Sequence, residues 1–181
     1  MRILATLLLA FSIFLTPRLL GDDDDYSLQE PDVPVLLVEF LANKFKQSEA
    51  EIKKIVWYAY SLGKPNSFPT PADILAVISV ESGFRPTAIH HIGPSVGLMQ
   101  INAFVHGSER LLEPYVNMVK GVGLLSQYRD LAGSDLKALV YYNAGPFGGK
   151  RICSTKFQCF TDYTKKVGKA KAEIVSVIEK G

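Results

Sequence analysis

The chain is poor in the residues that carry metal and redox chemistry, with two cysteines and three histidines in 181 residues. No zinc-type spacing of cysteine and histidine is present. No P-loop and no dinucleotide-binding glycine fingerprint is present either, so these metal, nucleotide and hydride-transfer classes drop out. His90 and His91 are neighbours in a loop and His106 stands apart. Such histidines are usually solvated, and neither a metal nor a cofactor is expected. Charge of one sign is also lacking. A formal net charge of +2 gives no reason to expect a nucleic-acid partner. No internal repeat occurs. The longest uninterrupted apolar run falls short of the roughly 20 residues that span a bilayer comfortably.

What is present suits one folded domain with appendages. Hydrophobic residues make up 48% of the chain and charged residues 21%, an ordinary globular balance. A chain of this length can bury a single core. Arg2 is the only charge before an almost wholly apolar run from Ile3 to Leu15. A basic start followed by such a run is what a secretory signal needs. Counting on past Pro17 and Arg18 to Leu20 gives a marginal uncleaved anchor, and no small-x-small cleavage site precedes Asp22. Residues 1–21 are therefore expected to be a signal peptide or an N-terminal membrane anchor. A buried helix would show polar positions on one side, and this stretch shows almost none. The run Asp22–Asp25, with Pro31 and Pro34, reads as an acidic linker over 22–34, leaving 35–181 for the domain. Residues 1–21 hold two of the basic residues and no acidic one, so the charge without them is 2 − 2 = 0. The expected location is exported: periplasmic or cell-envelope, with membrane contact only through the N-terminal segment.

An even cysteine count after an export signal suggests one disulfide, Cys153 to Cys159. Closing so short a loop stabilises by ~2–3 kcal/mol. A redox-active pair usually sits closer, as Cys-x-x-Cys. The stretch from Lys150 onward is locally basic, most simply as a solvated helix face.

The rest reads as a string of helices. Val35 to Lys46 places Leu37, Phe40, Leu41 and Phe45 on one face. Ser48 with Glu51 forms a capping box for a helix that Gly63 ends. Thr70 caps a third helix, with Pro71 at its first position and Asp73 completing a second box. This helix carries Ile74, Leu75, Val77 and Ile78 and is expected to stop at Gly83. Arg85 to Ile101 has the turn formers and β-branched residues of a short hairpin or irregular loop. Pro114 opens a helix to about Arg129 with Val119, Val122 and Leu125 inward. Ser134 caps one that ends at Gly145, and a last helix spans Asp162 to Ile178. The fold class is mainly α with a small β-like excursion.

Three pieces of this string carry chemistry. Helical residues turn by about 100°, which brings Glu81 within a turn of the apolar line through Ile74, Val77 and Ile78. A carboxylate there is partly desolvated, and it sits at the negative end of the helix. Both effects raise its pKa and favour an acid able to protonate a glycosidic oxygen. The plainer alternative is a Glu paired with an Arg or Lys for structure. The second piece is Gly97-Leu98-Met99-Gln100-Ile101-Asn102. Its amides alternate with apolar neighbours and suit the polar groups and soft faces of a sugar; taken alone such a segment is more often plain strand and turn. The third is Tyr141-Tyr142-Asn143-Ala144-Gly145-Pro146. Asn143 falls on the inner face of its helix, where it must find partners, cap the helix end or face a cleft.

In order and spacing, Val80-Glu81-Ser82-Gly83-Phe84, then Gly97-Leu98-Met99-Gln100-Ile101, then Tyr142-Asn143-Ala144-Gly145-Pro146 resemble the three signature motifs of the soluble-lytic-transglycosylase domain family. Leu112-Glu113-Pro114 with Asn117 and Gly121 resembles that family's helix start. The resemblance covers about residues 71–167. It implies a lysozyme-like α fold and non-hydrolytic cleavage of the β-1,4 bond between N-acetylmuramic acid and N-acetylglucosamine in peptidoglycan. It further implies that Glu81 is the single catalytic acid/base, closing a 1,6-anhydro ring with the substrate's own 6-hydroxyl and with no cofactor or metal. Ser82, Gly97, Met99, Gln100, Tyr142, Asn143 and Ala144 are implied to bind substrate, with Tyr163 as the family's late tyrosine near the acid. The short build resembles the specialised enzymes of secretion and conjugation machines, acting as a monomer on glycan strands. His90 and His91 stand where a serine is usual, and Pro94 where alanine is common.

Two further functions fit the same pattern. A lysozyme-type hydrolase would need a second carboxylate to place water, with Glu109, Glu113 and Asp162 as candidates. A non-catalytic peptidoglycan-binding protein could keep the fold, although an idle Glu81 on an apolar face would only cost stability. A bacteriophage lysis protein would share the chemistry and differ in biology.

Overall fold

A computed structural model of the chain describes residues 32–154 and 159–181. Residues 1–21, expected to be a signal peptide or anchor, and most of the expected linker over 22–34 lie outside the described residues. Among these residues the elements run α1 (Val35–Phe45), α2 (Glu49–Leu62), α3 (Pro71–Glu81), β1 (Ser95–Val96), β2 (Ile101–Asn102), α4 (Ala103–His106), α5 (Pro114–Ala132), α6 (Asp135–Ile152) and α7 (Asp162–Ile178). No helix among the described residues is long and apolar enough to cross a membrane.

The third helix is the axle of the domain. Every residue from Ala72 to Ile78 is buried. Such a helix has no polar face, so it needs neighbours all round. It packs most extensively on α7 and also against α2, while α5 pairs with α6 and α2 bridges to α5. The apolar line through Ile74, Val77 and Ile78 is buried as expected, and the helix is enclosed on its other sides as well from Ala72 to Ile78. Its start is set by local chemistry. Thr70 accepts from Asp73 N–H, Asp73 answers the Thr70 backbone N–H, and Pro71 occupies the first turn. Asp73 is itself buried and takes an ion pair from Lys171 of α7 at 2.8 Å. The two helices are thereby tied at that end.

Helix α2 starts at Ser48, whose hydroxyl accepts from Glu51 N–H. The Glu51 carboxylate, however, meets the Ser48 hydroxyl and not its backbone N–H, so the box is only half formed. In α5 the buried positions are Asn117, Met118, Gly121 and Leu125. Val119 is 44% exposed and not inward as expected. The inward stripe runs through 117, 121 and 125 at four-residue steps, and Val119 lies half a turn away from it. Helix α6 bends where the sequence marked a stop: Gly145 takes φ 71° and ψ 162°, values closed to most side chains, and Pro146 follows.

The segment between α3 and α5 is the β excursion. Ser95–Val96 pairs antiparallel with Ile101–Asn102, and Ile89 bridges to Val96. The four-residue α4 follows, capped by the Asn102 side chain, which accepts from Phe104 and Val105 N–H.

Candidate active site

Glu81 ends α3 at a point the local sequence holds firmly. The next residue, Ser82, donates its N–H to Ile78 O and caps the helix. Phe84 then turns to φ 60°, is fully buried and packs its ring 4.9 Å from that of Phe45. Arg85 Nε donates to Ser82 O at 2.8 Å. The chain leaving Glu81 is therefore pinned on both sides, which limits where its carboxyl can point.

That carboxyl meets one side chain directly. Tyr163, in the first turn of α7, donates its hydroxyl to Glu81 Oε1 at 2.7 Å. Burial raises the Glu81 pKa, and the Tyr163 hydrogen bond pulls partly the other way. Burial and the neighbouring Glu81 charge hold Tyr163 and Tyr142 well above the usual phenol range. Both tyrosines therefore stay protonated and act as donors, while burial of Glu81 favours its protonated form.

Glu81 opens onto a cleft of about 740 Å³. The loop after α3 lines one side with His90, Ile92 and Ser95, and β2 and α4 add Asn102, Val105 and His106. Helix α5 contributes Leu124 and Tyr128. The bend in α6 presents Tyr142, Asn143, Ala144 and Pro146. Amides, hydroxyls and modest apolar surface thus face one half-buried acid, Glu81. Such a surface suits a sugar polymer, with hydrogen-bonding edges and C–H faces, better than a charged cofactor.

Asn117 of α5 organises the wall opposite. Its Oδ1 accepts from Met99 N–H at 2.8 Å, and its Nδ2 donates to Val96 O at 2.9 Å and Leu111 O at 2.8 Å. Gly97 takes φ +79°, and a Cβ there would lie 2.2 Å from Asn117 Nδ2. Only a glycine lets the loop lie so close to that amide. Gln100 then turns into the cleft wall while its Nε2 donates to Ala88 O and Gly97 O. Tyr142 closes the unit by donating to Met99 O at 2.8 Å.

The residues singled out in the sequence separate into two groups. Glu81, Gln100, Tyr142, Asn143 and Ala144 line the cleft, and Tyr163 stands behind Glu81. Ser82, Gly97 and Met99 do not line it. The Ser82 hydroxyl is buried on Ile78 O. Met99 is fully buried against Gly121, where a Cβ would come within 2.3 Å of its sulfur. Glu109, Glu113 and Asp162 are not among the cleft-lining residues. Glu113 is engaged by Arg110 on the surface, which lowers its pKa. Tyr128 was missed, although its four-residue spacing from Leu124 places both on one face of α5. His90 and His91 stack at 5.0 Å between ring centres, and only His90 lines the cleft. Among the described residues no group of three His, Cys, Asp or Glu is placed to hold a metal ion. Cys153 and Cys159 are joined in a disulfide.

The family model described as the transglycosylase SLT domain matches residues 64–158. That span holds Glu81, the Gly97–Asn102 loop and the bend of α6, and it stops short of Tyr163. No curated protein and no solved structure matches the chain.

Proposed function

Since the chain belongs to the transglycosylase SLT domain family, of which the matched span takes more than half its length, we propose that it is a peptidoglycan lytic transglycosylase with Glu81 as its one acid/base. The observation that carries the reading is the Glu81–Tyr163 hydrogen bond at the wall of an amide-lined cleft, on a carboxyl whose pKa burial raises.

The protonated Glu81 gives its proton to the glycosidic oxygen as the bond from the muramoyl C1 to that oxygen breaks. The resulting carboxylate takes the proton of the muramoyl 6-hydroxyl while O6 bonds to C1. Atoms balance without water, and Glu81 ends as it began. Tyr163 donates to Oε1, which leaves Oε2 to carry the travelling proton. Gln100, Asn143 and Tyr142 would hold the acetamido and hydroxyl groups of the strand, with Ala144 and Pro146 under its C–H faces. Ser82, Gly97 and Met99 would support the wall rather than touch the sugar.

A hydrolase on the same frame would need a second carboxylate beside the reacting carbon. Glu81 is the only Asp or Glu among the cleft-lining residues, which favours the substrate's own hydroxyl as nucleophile. Such an enzyme works in the cell envelope on glycan strands, in keeping with the export signal read at residues 1–21. The test is release of soluble muropeptides from purified peptidoglycan by the wild type and by Glu81→Gln. Loss of about 10²–10⁴-fold in rate is expected for the variant, and undiminished release would exclude Glu81 from the chemistry.

A further inference from the structure

We infer that the Cys153–Cys159 disulfide is a positioning device for the Tyr163–Glu81 pair, holding the first turn of α7 where the tyrosine reaches the carboxyl. The catalytic consequence rests on Glu81 being the acid/base, while the positioning itself does not.

Two links connect the disulfide to Tyr163. Cys153 caps the end of α6, and Cys159 stands just ahead of α7. Both are buried with Val140 in a small satellite core, backed by Leu136 and Ile152 and separate from the main core. The disulfide thus fastens the approach to α7 onto α6, the helix that presents Tyr142 and Asn143. The second link is Thr164, buried next to Tyr163. Its hydroxyl donates to Cys159 O at 3.0 Å and to Thr161 O at 3.0 Å. Thr161 in turn caps the helix by accepting from Thr164 N–H.

A first helical turn has no intrahelical partners for its N–H groups, so it frays before the rest. Beyond that turn, α7 is docked by Val167, Ala170 and Ile174 in the main core and by Lys171 on Asp73. The body of the helix therefore stays in place without the disulfide. What the disulfide and the Thr164–Cys159 bond add is the placement of residues 161–164, and Tyr163 is the member of that turn that touches Glu81. Glu81 is faced by Tyr163 from α7 and Tyr142 from α6. Tyr128 from α5, His90 from the loop and His106 from α4 line the same cleft. None of these changes in the variants below except Tyr163.

The experiment is a carboxyl ¹³C NMR titration of Glu81 in the full-length protein, which needs no catalytic activity. Tyr163→Phe is introduced into three backgrounds: wild type, Cys153→Ala/Cys159→Ala, and Thr164→Val. With the disulfide intact, Tyr163→Phe moves the Glu81 midpoint to higher pH, because the lost hydrogen bond had favoured the carboxylate. Without the disulfide the same change is expected to leave the midpoint where it was, since the bond is already gone. Thr164→Val, which keeps the disulfide, is expected to shrink the shift. An equal shift in all three backgrounds would overturn the inference and leave the disulfide as a staple. If the double cysteine variant does not fold, the same Tyr163→Phe comparison is made on the folded protein after chemical reduction of the disulfide: a full shift overturns the inference, a reduced one supports it. Peptidoglycan cleavage measured alongside separates the two claims. A coupled titration without cleavage by the wild type sinks the proposed function and leaves the positioning intact.

Discussion

Tyr163 and Glu81 lie 82 residues apart in the chain and meet at 2.7 Å across the α3–α7 interface. Tyr163→Phe removes the hydroxyl and keeps the ring, so burial of Glu81 is retained while its donor is lost. The Glu81 pKa then rises further, because the hydrogen bond is the contribution that lowers it. The alkaline limb of kcat/KM, which reports the acid in the free enzyme, is expected to move to higher pH. The rate at the optimum is expected to fall by about tenfold, the equivalent of about 1.4 kcal/mol or one hydrogen bond. An unmoved limb would show that the tyrosine does not tune the acid.

Glu81→Gln also makes a prediction about stability. In the unfolded chain a glutamate titrates at its ordinary value, about 4.3; in the folded protein burial raises it. Between those two values the folded state keeps a proton that the unfolded state has lost. Stability therefore falls as pH rises through that window, and the full penalty is present above the folded value. Glutamine carries no such penalty. Glu81→Gln is expected to melt with the wild type below about pH 4 and to melt higher near neutrality, by about 2–4 °C for each kcal/mol relieved. Thermal melts across pH check this, and a pH-independent difference would contradict it.

Asn117 is a fully buried amide with two hydrogen bonds to the segment that carries Gln100, at Val96 O and Met99 N–H, and a third to Leu111 O. Asn117→Ala strands Met99 N–H and the carbonyls of Val96 and Leu111. Unsatisfied buried groups cost roughly 1–3 kcal/mol each, so a Tm loss of about 6 °C or more is expected at about 2–4 °C per kcal/mol. Displacement of Gln100 should appear as a raised KM with a smaller change in kcat. A Tm unchanged to within a degree would remove Asn117 from this role.

Local chemistry made much of this fold legible. Thr70, Pro71 and Asp73 announce the start of α3, and the last helix runs over the expected span, Asp162 to Ile178. Gly145 stops the first half of α6 because it adopts a backbone conformation most residues avoid. What depends on tertiary neighbours was less legible. Val119 looked inward by hydrophobicity, yet the stripe through Asn117 and Gly121 turns it out. The four residues of α4 carry too little periodicity to be seen, and the Asn102 cap is their main signal. The motif resemblance brought Ser82, Gly97 and Met99 into the site as neighbours of lining residues. Adjacent residues point to opposite sides of a wall, and only packing decides which side chain reaches the cleft. Tyr163 entered through resemblance as well, since no local rule links the start of α7 to the end of α3.

The most direct test of the central claim is digestion of purified peptidoglycan by the full-length protein in H₂¹⁸O, with mass spectrometry of the released sugar ends. Lytic transglycosylation by Glu81 predicts 1,6-anhydromuramoyl ends free of ¹⁸O, absent with Glu81→Gln. Reducing muramoyl ends carrying ¹⁸O would contradict it, because water and not the 6-hydroxyl would then be the nucleophile.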